Sequence, residues 1–310
     1  MKVAFLFSGQ LRTMPRNLFR KSLSNLTKGL DYDIYSYLWD ETGRSLNHGN
    51  INFDDFREEN ARKILIDYMT GFNLKKISSE SYLQFKKNLQ SEYKELIESD
   101  QYHFGTINSI PQIYSLSKCF DLILKNLNDY DLIFKCRFDT LFLHPLNVYD
   151  LEKFRNEKAI YSINFGRAYY PKRIYDIFFG GSKESMMFLR NIWEDLPNLL
   201  VDKFDNNLDK RDACRIFYLA AIKEDIVCKS FDTRVCDVFR NFDNNYYEKY
   251  IISMHLFSIK NIFKNIKFIR YFFLWFRFRK LSRFSIFYSM LLSLILLPIS
   301  YLKRVKKLFI

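Results

Sequence analysis

Glycine, proline and cysteine are all scarce in this chain of 310 residues, which has 9 Gly, 6 Pro and 5 Cys. The low glycine and proline content excludes a collagen-like or low-complexity protein. An odd number of cysteines without a Cys-x-x-Cys pair argues against a disulfide framework and a zinc ribbon, and favours the reducing cytoplasm. Only residues 3–7 form an apolar run at the N-terminus. This run is too short for a signal peptide, so we expect no export.

Acidic residues are absent from residues 260–310, which carry twelve Lys and Arg. The net charge of +13 therefore resides almost wholly there, because the other 36 bases face 35 acids. Residues 284–302 carry no charge, and a helix of that length is about 28 Å long, close to a bilayer core. Bases flank the run on both sides and Pro298 interrupts it. We therefore expect a monotopic tail in the membrane interface, not a spanning helix.

This basic tail predicts binding to an anionic membrane surface, since each base near anionic lipid contributes about 1 kcal/mol. Aromatic residues lie between the bases, an arrangement that can also stack on single-stranded nucleic acid. We predict no nucleic-acid partner because the long apolar run fits lipid better. A basic helical subdomain packed on the core is the remaining alternative.

Both glycine-rich nucleotide motifs, G-x-G-x-x-G and G-x-x-x-x-G-K-[ST], are absent, so neither dinucleotide-fold nor P-loop binding is supported. Strand and helix patterns nevertheless alternate along the chain. Residues 3–7 are typical of a buried parallel strand, a helix with Leu18, Leu23 and Leu26 follows, and DYDIYSYLWD predicts a second strand. This order predicts an α/β fold.

Later segments continue the alternation. Residues 41–60 are polar and predict a loop, and residues 61–100 look helical and charged. A helix with 3.6-residue spacing is predicted from Ser109 and Pro111 to Leu127. The other predicted elements are a β-rich segment at 131–143, a strand at 160–165, a strand, Gly-Gly turn and helix capped by Ser182 within DIFFGGSKESMMF, and a helix around 212–223.

Three charged residues interrupt the β-rich segment DLIFKCRFDTLF. A strand period of two places Lys135, Arg137 and Asp139 on one face. Burying three charges is costly unless they bind something. If the strand ends near Asp139, these side chains project into the crevice where open α/β sheets bind ligands. The alternative is an edge strand with one solvated face and an Arg/Asp pair.

Five segments carry a family resemblance by their order and spacing: SGQLR, DIYSYLWD, SIPQIYSLSKC, KCRFD and DIFFGGSKESMMFL. Over residues 1–240 the chain resembles bacterial GT-A-type glycosyltransferases of surface-polysaccharide synthesis, of capsule or lipopolysaccharide. The resemblance implies a Rossmann-like, mainly parallel mixed sheet with flanking helices in a catalytic domain, residues 1–250. The helical membrane-associating tail, residues 256–310, follows it. A hexosyl or related transferase is implied, with a nucleotide-sugar donor and a lipid-linked or surface-glycan acceptor at the inner face of the cytoplasmic membrane.

The same resemblance assigns donor-binding residues. Ser8, Gly9 and Gln10 would meet the nucleotide base or ribose, and Arg12 would reach the diphosphate. KCRFD stands where the family has a metal-binding Asp-x-Asp, and Arg137 occupies the first of those two acidic positions. Either Asp139 shares Mn²⁺ or Mg²⁺ with another ligand, for which His255 is a candidate, or Arg137 and Lys135 neutralise the diphosphate directly.

Acceptor-side residues follow from the resemblance as well. Gly180, Gly181 and Asp176 would lie near the acceptor, and an inverting enzyme needs a carboxylate base near a helix start. Asp212 is the candidate base, and the competing carboxylates are Asp209, Asp176 and Glu184. A sulfotransferase-type enzyme with an adenosine bisphosphate donor and a non-catalytic membrane adaptor remain as alternatives. The sugar, its nucleotide, the linkage, metal dependence and oligomeric state stay open.

Overall fold

The fold is known from a computed structural model that describes residues 1–11, 16–40, 61–92, 105–142, 144–163, 173–201, 213–231 and 236–238. The chain divides into two compact units, Met1–Asn244 and Asn245–Ile310. All described residues belong to the first unit, so the predicted tail at 256–310 lies outside them. Among the described residues, no helix is both long and apolar enough to cross a membrane.

Strands and helices alternate through the described part of the chain. The strands are β1 Lys2–Gly9, β2 Asp31–Trp39, β3 Leu74–Glu80, β4 Leu132–Cys136, β5 Thr140–Phe142, β6 Ala159–Ser162, β7 Phe178–Ser182, β8 Val227–Ser230 and β9 Cys236–Val238. The α-helices are α1 Arg16–Thr27, α2 Ala61–Met69, α3 Tyr82–Glu92, α4 Gly105–Asp121, α5 Val148–Asn156, α6 Leu196–Val201 and α7 Ala213–Lys223. Two short 3₁₀ helices cover Leu124–Asp129 and Met187–Arg190.

One seven-stranded sheet organises these elements in the order β3-β2-β1-β4-β7-β6-β8. Strand β7 runs antiparallel to both of its neighbours, and the other pairs are parallel. Strands β5 and β9 form a separate antiparallel pair. The structure confirms the predicted mixed, mainly parallel α/β sheet with flanking helices. The strand predictions at β1 and β2 and the helix prediction at α7 are also confirmed.

The core fills both faces of the sheet. On one face Leu6, Ile133 and Phe179 pack in a cluster with side chains of α4 and α7. On the other face, phenylalanine rings dominate, and the rings of Phe134 and Phe178 stack with centroids 5.3 Å apart. Because β1 and β4 are covered on both faces, their sequences are nearly continuous apolar runs.

The order in which successive strands are added to the sheet reverses between β1 and β4. It runs from β1 outward through β2 to β3, and β4 then pairs on the opposite side of β1. In open α/β sheets, a crevice forms outside the carboxyl ends of the strands at such a switch point. The ends of β1 and β4, at Gly9 and Cys136, therefore flank the expected ligand crevice.

Two predicted segments are wrong in detail. The β-rich segment 131–143 is two strands, because β4 ends at Cys136 and a turn intervenes, with the Thr140 backbone N–H donating to the Arg137 carbonyl at 3.2 Å. Arg137 and Asp139 thus lie in this turn and not on one strand face. Residues 61–100 are not continuously helical, since they contain β3, Leu74–Glu80. That edge strand is charged and lacks an alternating pattern, so its sequence looks helical.

The predicted helix from Ser109 to Leu127 is shifted. It begins at Gly105 and ends at Asp121, and Pro111 lies inside it. The predicted turn at Gly180 and Gly181 is wrong, because both residues lie within β7 and no α-helix follows directly. A Cβ atom at Gly180 would lie 2.2 Å from the Phe134 side chain. Close strand packing accounts for this glycine.

Candidate functional site

Charged side chains from two distant segments meet at the carboxyl end of β4. We call Lys135, Arg137, Asp139 and Asp176 the edge cluster. Because β7 is antiparallel to β4, the residues that precede β7 arrive at the edge where β4 ends, and the Arg137 backbone N–H donates to the Ile177 carbonyl at 3.2 Å. Asp176 is thereby brought to Arg137 across 39 positions of sequence.

Arg137 is the centre of the edge cluster. Its Nε and Nη2 donate to Asp139 Oδ1 and Oδ2 at 2.8 and 2.7 Å, a bidentate pair. Its Nη1 donates to Asp176 Oδ2 at 2.9 Å. Asp139 is 1% exposed, whereas the Arg137 and Asp176 side chains each keep 14% exposure. One guanidinium therefore fixes two carboxylates at the rim of the sheet.

These contacts set the charge states of the cluster. Burial works against protonation of Arg137, but Asp139 and Asp176 outweigh it and raise the pKa of its guanidinium. Burial also disfavours the Asp176 carboxylate, yet Arg137 and Lys135 lower its pKa below the usual value. Arg137 is thus cationic and Asp176 anionic at neutral pH.

Lys135 is the fourth member of the edge cluster. It is 2% exposed, and its Nζ lies 5.9 Å from the Phe179 ring centroid. No carboxylate of the described residues lies within 4.0 Å of its ammonium. Burial lowers the pKa of Lys135 to about 8, and Asp176 partly opposes this shift. Such a buried ammonium is well suited to an anionic ligand.

The end of β1 lies next to the edge cluster. Since Leu6 pairs with Lys135 and Phe7 with Cys136, Ser8 lies beside the start of the turn that carries Arg137. Ser8 is 6% exposed, and Gln10 is half-buried just after the strand. Gly9 has φ +107°, a conformation that strains any L-residue. The donor-binding roles of Ser8, Gly9 and Gln10 stay predictions.

Helix α7 supports the site from a further segment. Its first residue, Ala213, donates its backbone N–H to Ser109 Oγ at 2.8 Å. The Cys214 thiol donates to Asp176 Oδ1 at 3.7 Å, and the Cys214 carbonyl accepts the Ile174 N–H at 3.0 Å. No local sequence signal assigns Cys214 or Ser109 to the site, because these contacts depend on tertiary packing.

Several predicted site residues lie outside the described residues: Arg12, Asp209, Asp212 and His255. Glu184 is exposed and follows β7 at the opposite edge of the sheet, because β7 runs away from the edge cluster. Its competing role as base is therefore not supported by position. Gly180 and Gly181 pair with Phe134 and Ile133 within the sheet, and their acceptor-side role stays a prediction.

The edge cluster does not fit a divalent cation. Both Asp139 oxygens and one Asp176 oxygen already accept hydrogen bonds from Arg137. Unit charges about 4 Å apart interact by about 4 kcal/mol at an effective dielectric near 20, and repulsion between a divalent ion and Arg137 would be about twice that. Among the described residues, no three His, Cys, Asp or Glu side chains form a metal-binding group.

Fold and edge cluster together define an α/β protein with a cluster of charged side chains at the switch point of a mainly parallel sheet. No protein-family model matches the chain, and no curated protein matches it in sequence. Among solved structures, the chain is similar to mouse xyloside xylosyltransferase 1 in its apo form, with a TM-score of 0.43 and 12% identity. The match covers 75% of this chain and 85% of that one. At this similarity it assigns no activity.

Proposed function

We propose that the chain is a glycosyltransferase that moves a sugar from a nucleotide-sugar donor to a lipid-linked or surface-glycan acceptor. The observation that supports this most is the mostly buried Arg137 bound to Asp139 and Asp176 at the switch point, beside the end of β1. A diphosphate there would meet fixed cations, and a sugar hydroxyl would meet fixed carboxylates. An inverting sugar transfer from a nucleotide uses both kinds of group.

Each member of the edge cluster has a proposed role. A guanidinium carries five N–H donors, and three of those on Arg137 are used by Asp139 and Asp176. The remaining two are proposed to bind a diphosphate oxygen, with Lys135 as the second cation. Asp139 positions Arg137, because both of its oxygens are bound to that side chain.

Asp176 is the proposed carboxylate for the acceptor hydroxyl. Its Oδ1 accepts only a long hydrogen bond from the Cys214 thiol among the described residues. That oxygen therefore keeps the capacity to accept a sugar O–H and, in an inverting reaction, to take its proton. Asp212, which directly precedes α7 in the sequence, remains the alternative base.

The proposal extends to the place of the reaction. A basic tail at 260–310 would hold the site at an anionic cytoplasmic membrane face, where a lipid-linked intermediate of capsule or lipopolysaccharide would be extended. A soluble donor and a membrane-bound acceptor would then meet at the edge cluster. The charge of the tail supports this arrangement.

Ligand binding to the full chain tests the proposed function. Thermal unfolding is measured with UDP, GDP, CMP and adenosine 3′,5′-bisphosphate, each with and without Mn²⁺. We expect a pyrimidine or guanine nucleotide to raise the unfolding midpoint. A response to adenosine 3′,5′-bisphosphate alone would indicate the sulfotransferase-type alternative, and no response to any nucleotide would favour the membrane adaptor.

A further inference from the structure

The charges of the edge cluster balance without an added ion. Asp139 and Asp176 contribute two negative charges, and Lys135 and Arg137 contribute two positive ones. A divalent cation held by two carboxylates would give the same total. The family pattern that this sequence resembles uses such a cation, but here bases of the chain supply equal charge at the end of β4.

The Arg137 guanidinium occupies the place between the two carboxylates where a divalent cation would bind. The guanidinium lies between the two carboxylates, with Nη2 to Asp139 Oδ2 at 2.7 Å and Nη1 to Asp176 Oδ2 at 2.9 Å. A metal ion would need the same carboxylate oxygens. Because the guanidinium takes both Asp139 oxygens in a bidentate pair, a metal could bind there only after that pair had been broken.

Lys135 completes the arrangement. Its ammonium is nearly enclosed and has no ion pair within 4.0 Å among the described residues, although Asp176 attracts it. Arg137 is thus bound to the two carboxylates, whereas the Lys135 ammonium can bind an incoming anion. A metal ion bound to carboxylates divides its charge in the same way, between its protein ligands and the phosphate.

We propose that Arg137, with Lys135, permanently takes the place of a divalent cation at this site, so that the edge cluster binds no metal and a donor diphosphate binds equally well without one. The second half of this statement rests on the proposed function. The first half concerns the protein alone and is tested without any nucleotide.

Mn²⁺ alone is the probe. Thermal unfolding of the full chain is compared in EDTA and in millimolar Mn²⁺ for the wild type, Arg137→Ala and the double variant Arg137→Ala with Asp176→Asn. We expect the wild-type midpoint to be unchanged by Mn²⁺. Arg137→Ala should unfold at lower temperature in EDTA and recover part of the loss in Mn²⁺, because its two carboxylates are freed for the ion. The double variant should not recover. If Mn²⁺ did not raise the unfolding midpoint of Arg137→Ala, the proposal that Arg137 takes the place of a divalent cation would be wrong.

A second measurement decides the point even if Arg137→Ala does not fold. Electron paramagnetic resonance reports free Mn²⁺ in solution as wild-type protein or Asp176→Asn is added. We expect both proteins to leave the same amount of Mn²⁺ free. Stoichiometric uptake by the wild type that Asp176→Asn abolishes would place a metal in the cluster and overturn the proposal.

Nucleotide titrations then separate the two proposals. With Mn²⁺ or EDTA present, the Kd of the best nucleoside diphosphate should agree within about twofold. A Kd at least tenfold lower in Mn²⁺ would contradict metal-independent binding. If no nucleotide binds in either condition, the proposed function fails, while the Mn²⁺ measurements still decide the role of Arg137.

Discussion

Arg137 joins the two carboxylates at the carboxyl end of β4. Its side chain meets two carboxylates from different segments and is itself mostly buried. Removal of one partner from such a buried ionic group leaves a charge without compensation, and this usually costs more stability than the pair contributes. The charges of the edge cluster are therefore coupled, and a substitution at one residue changes the others.

Asp139→Ala is expected to lower the free energy of unfolding by about 3 kcal/mol, because Arg137 loses its bidentate partner in a buried position. Asp67→Ala is the matched control, since Asp67 pairs with Arg16 at 2.7 Å but is 58% exposed. The control should cost under about 1 kcal/mol. Urea unfolding of both variants measures the difference, and equal losses would show that Asp139 is not a structural partner of Arg137.

Lys135→Met should change how stability depends on pH. Burial lowers the pKa of Lys135 from 10.5 to about 8, so between these values the unfolded chain holds a proton that the folded chain has released. The contribution of Lys135 to the free energy of unfolding therefore rises with pH across this window, by about 3 kcal/mol in total, and Lys135→Met lacks that contribution. Urea unfolding from pH 7 to 10.5 measures it. Lys125→Met, at an exposed position, is the control and should keep the wild-type dependence of unfolding free energy on pH. The same dependence in Lys135→Met would show that the pKa of Lys135 is not lowered.

Strand β7 is the element that brings the site together. Its antiparallel direction returns the chain to the end of β4, so Asp176 arrives beside Arg137. Gly180 lets that strand approach β4 closely, because a Cβ there would lie 2.4 Å from the Ile133 carbonyl oxygen. The position of Asp176 thus depends on packing deeper in the sheet.

Gly180→Ala is expected to destabilise the protein by about 3 kcal/mol, since the added methyl group overlaps the Phe134 ring and a backbone carbonyl. Gly29→Ala is the control. Gly29 has φ +75° but no heavy atom within 4 Å of an added Cβ, so that change should cost only about 1 to 2 kcal/mol. Thermal unfolding compares the two, and a smaller loss at Gly180 would contradict the close packing.

Elements with strong local patterns could be predicted from the sequence, and the others could not. β1 is an apolar run and α7 an amphipathic segment, and the structure confirms both predictions. The sequence of β3 predicts no strand, because its lysines and serines at a sheet edge carry no alternation. The break after Cys136 was missed because residues on both sides of it favour strands, and only pairing with β9 shows where β5 belongs.

The candidate site was predicted in part. Lys135, Arg137 and Asp139 were identified from charges in an apolar segment, which is a local signal. The ion pair of Arg137 with Asp176 depends on the strand order, which sequence periodicity does not reveal. The sequence alone also does not distinguish a metal site from a site of basic side chains, because that distinction depends on the distances from Arg137 to Asp139 and Asp176.

In the whole molecule, the uneven distribution of charge predicts that the nearly neutral first part binds the nucleotide and that the basic tail binds the membrane. Removal of residues 256–310 should abolish sedimentation with anionic vesicles and leave nucleotide binding by the edge cluster unchanged. The full chain and neutral vesicles are the controls in the same sedimentation assay. Continued sedimentation of the shortened chain would show that the tail is not the membrane anchor.

We propose above that the edge cluster transfers a sugar from a nucleotide donor. The most direct test of this proposal is the release of UDP, GDP or CMP from a panel of nucleotide sugars by the full chain, with membranes of the producing cells present to supply the acceptor. We expect release from one nucleotide class and a rate at least about a hundredfold lower in Asp176→Asn, which loses the carboxylate for the acceptor hydroxyl. Equal rates in the wild type and Asp176→Asn, or no release from any nucleotide sugar, would contradict it.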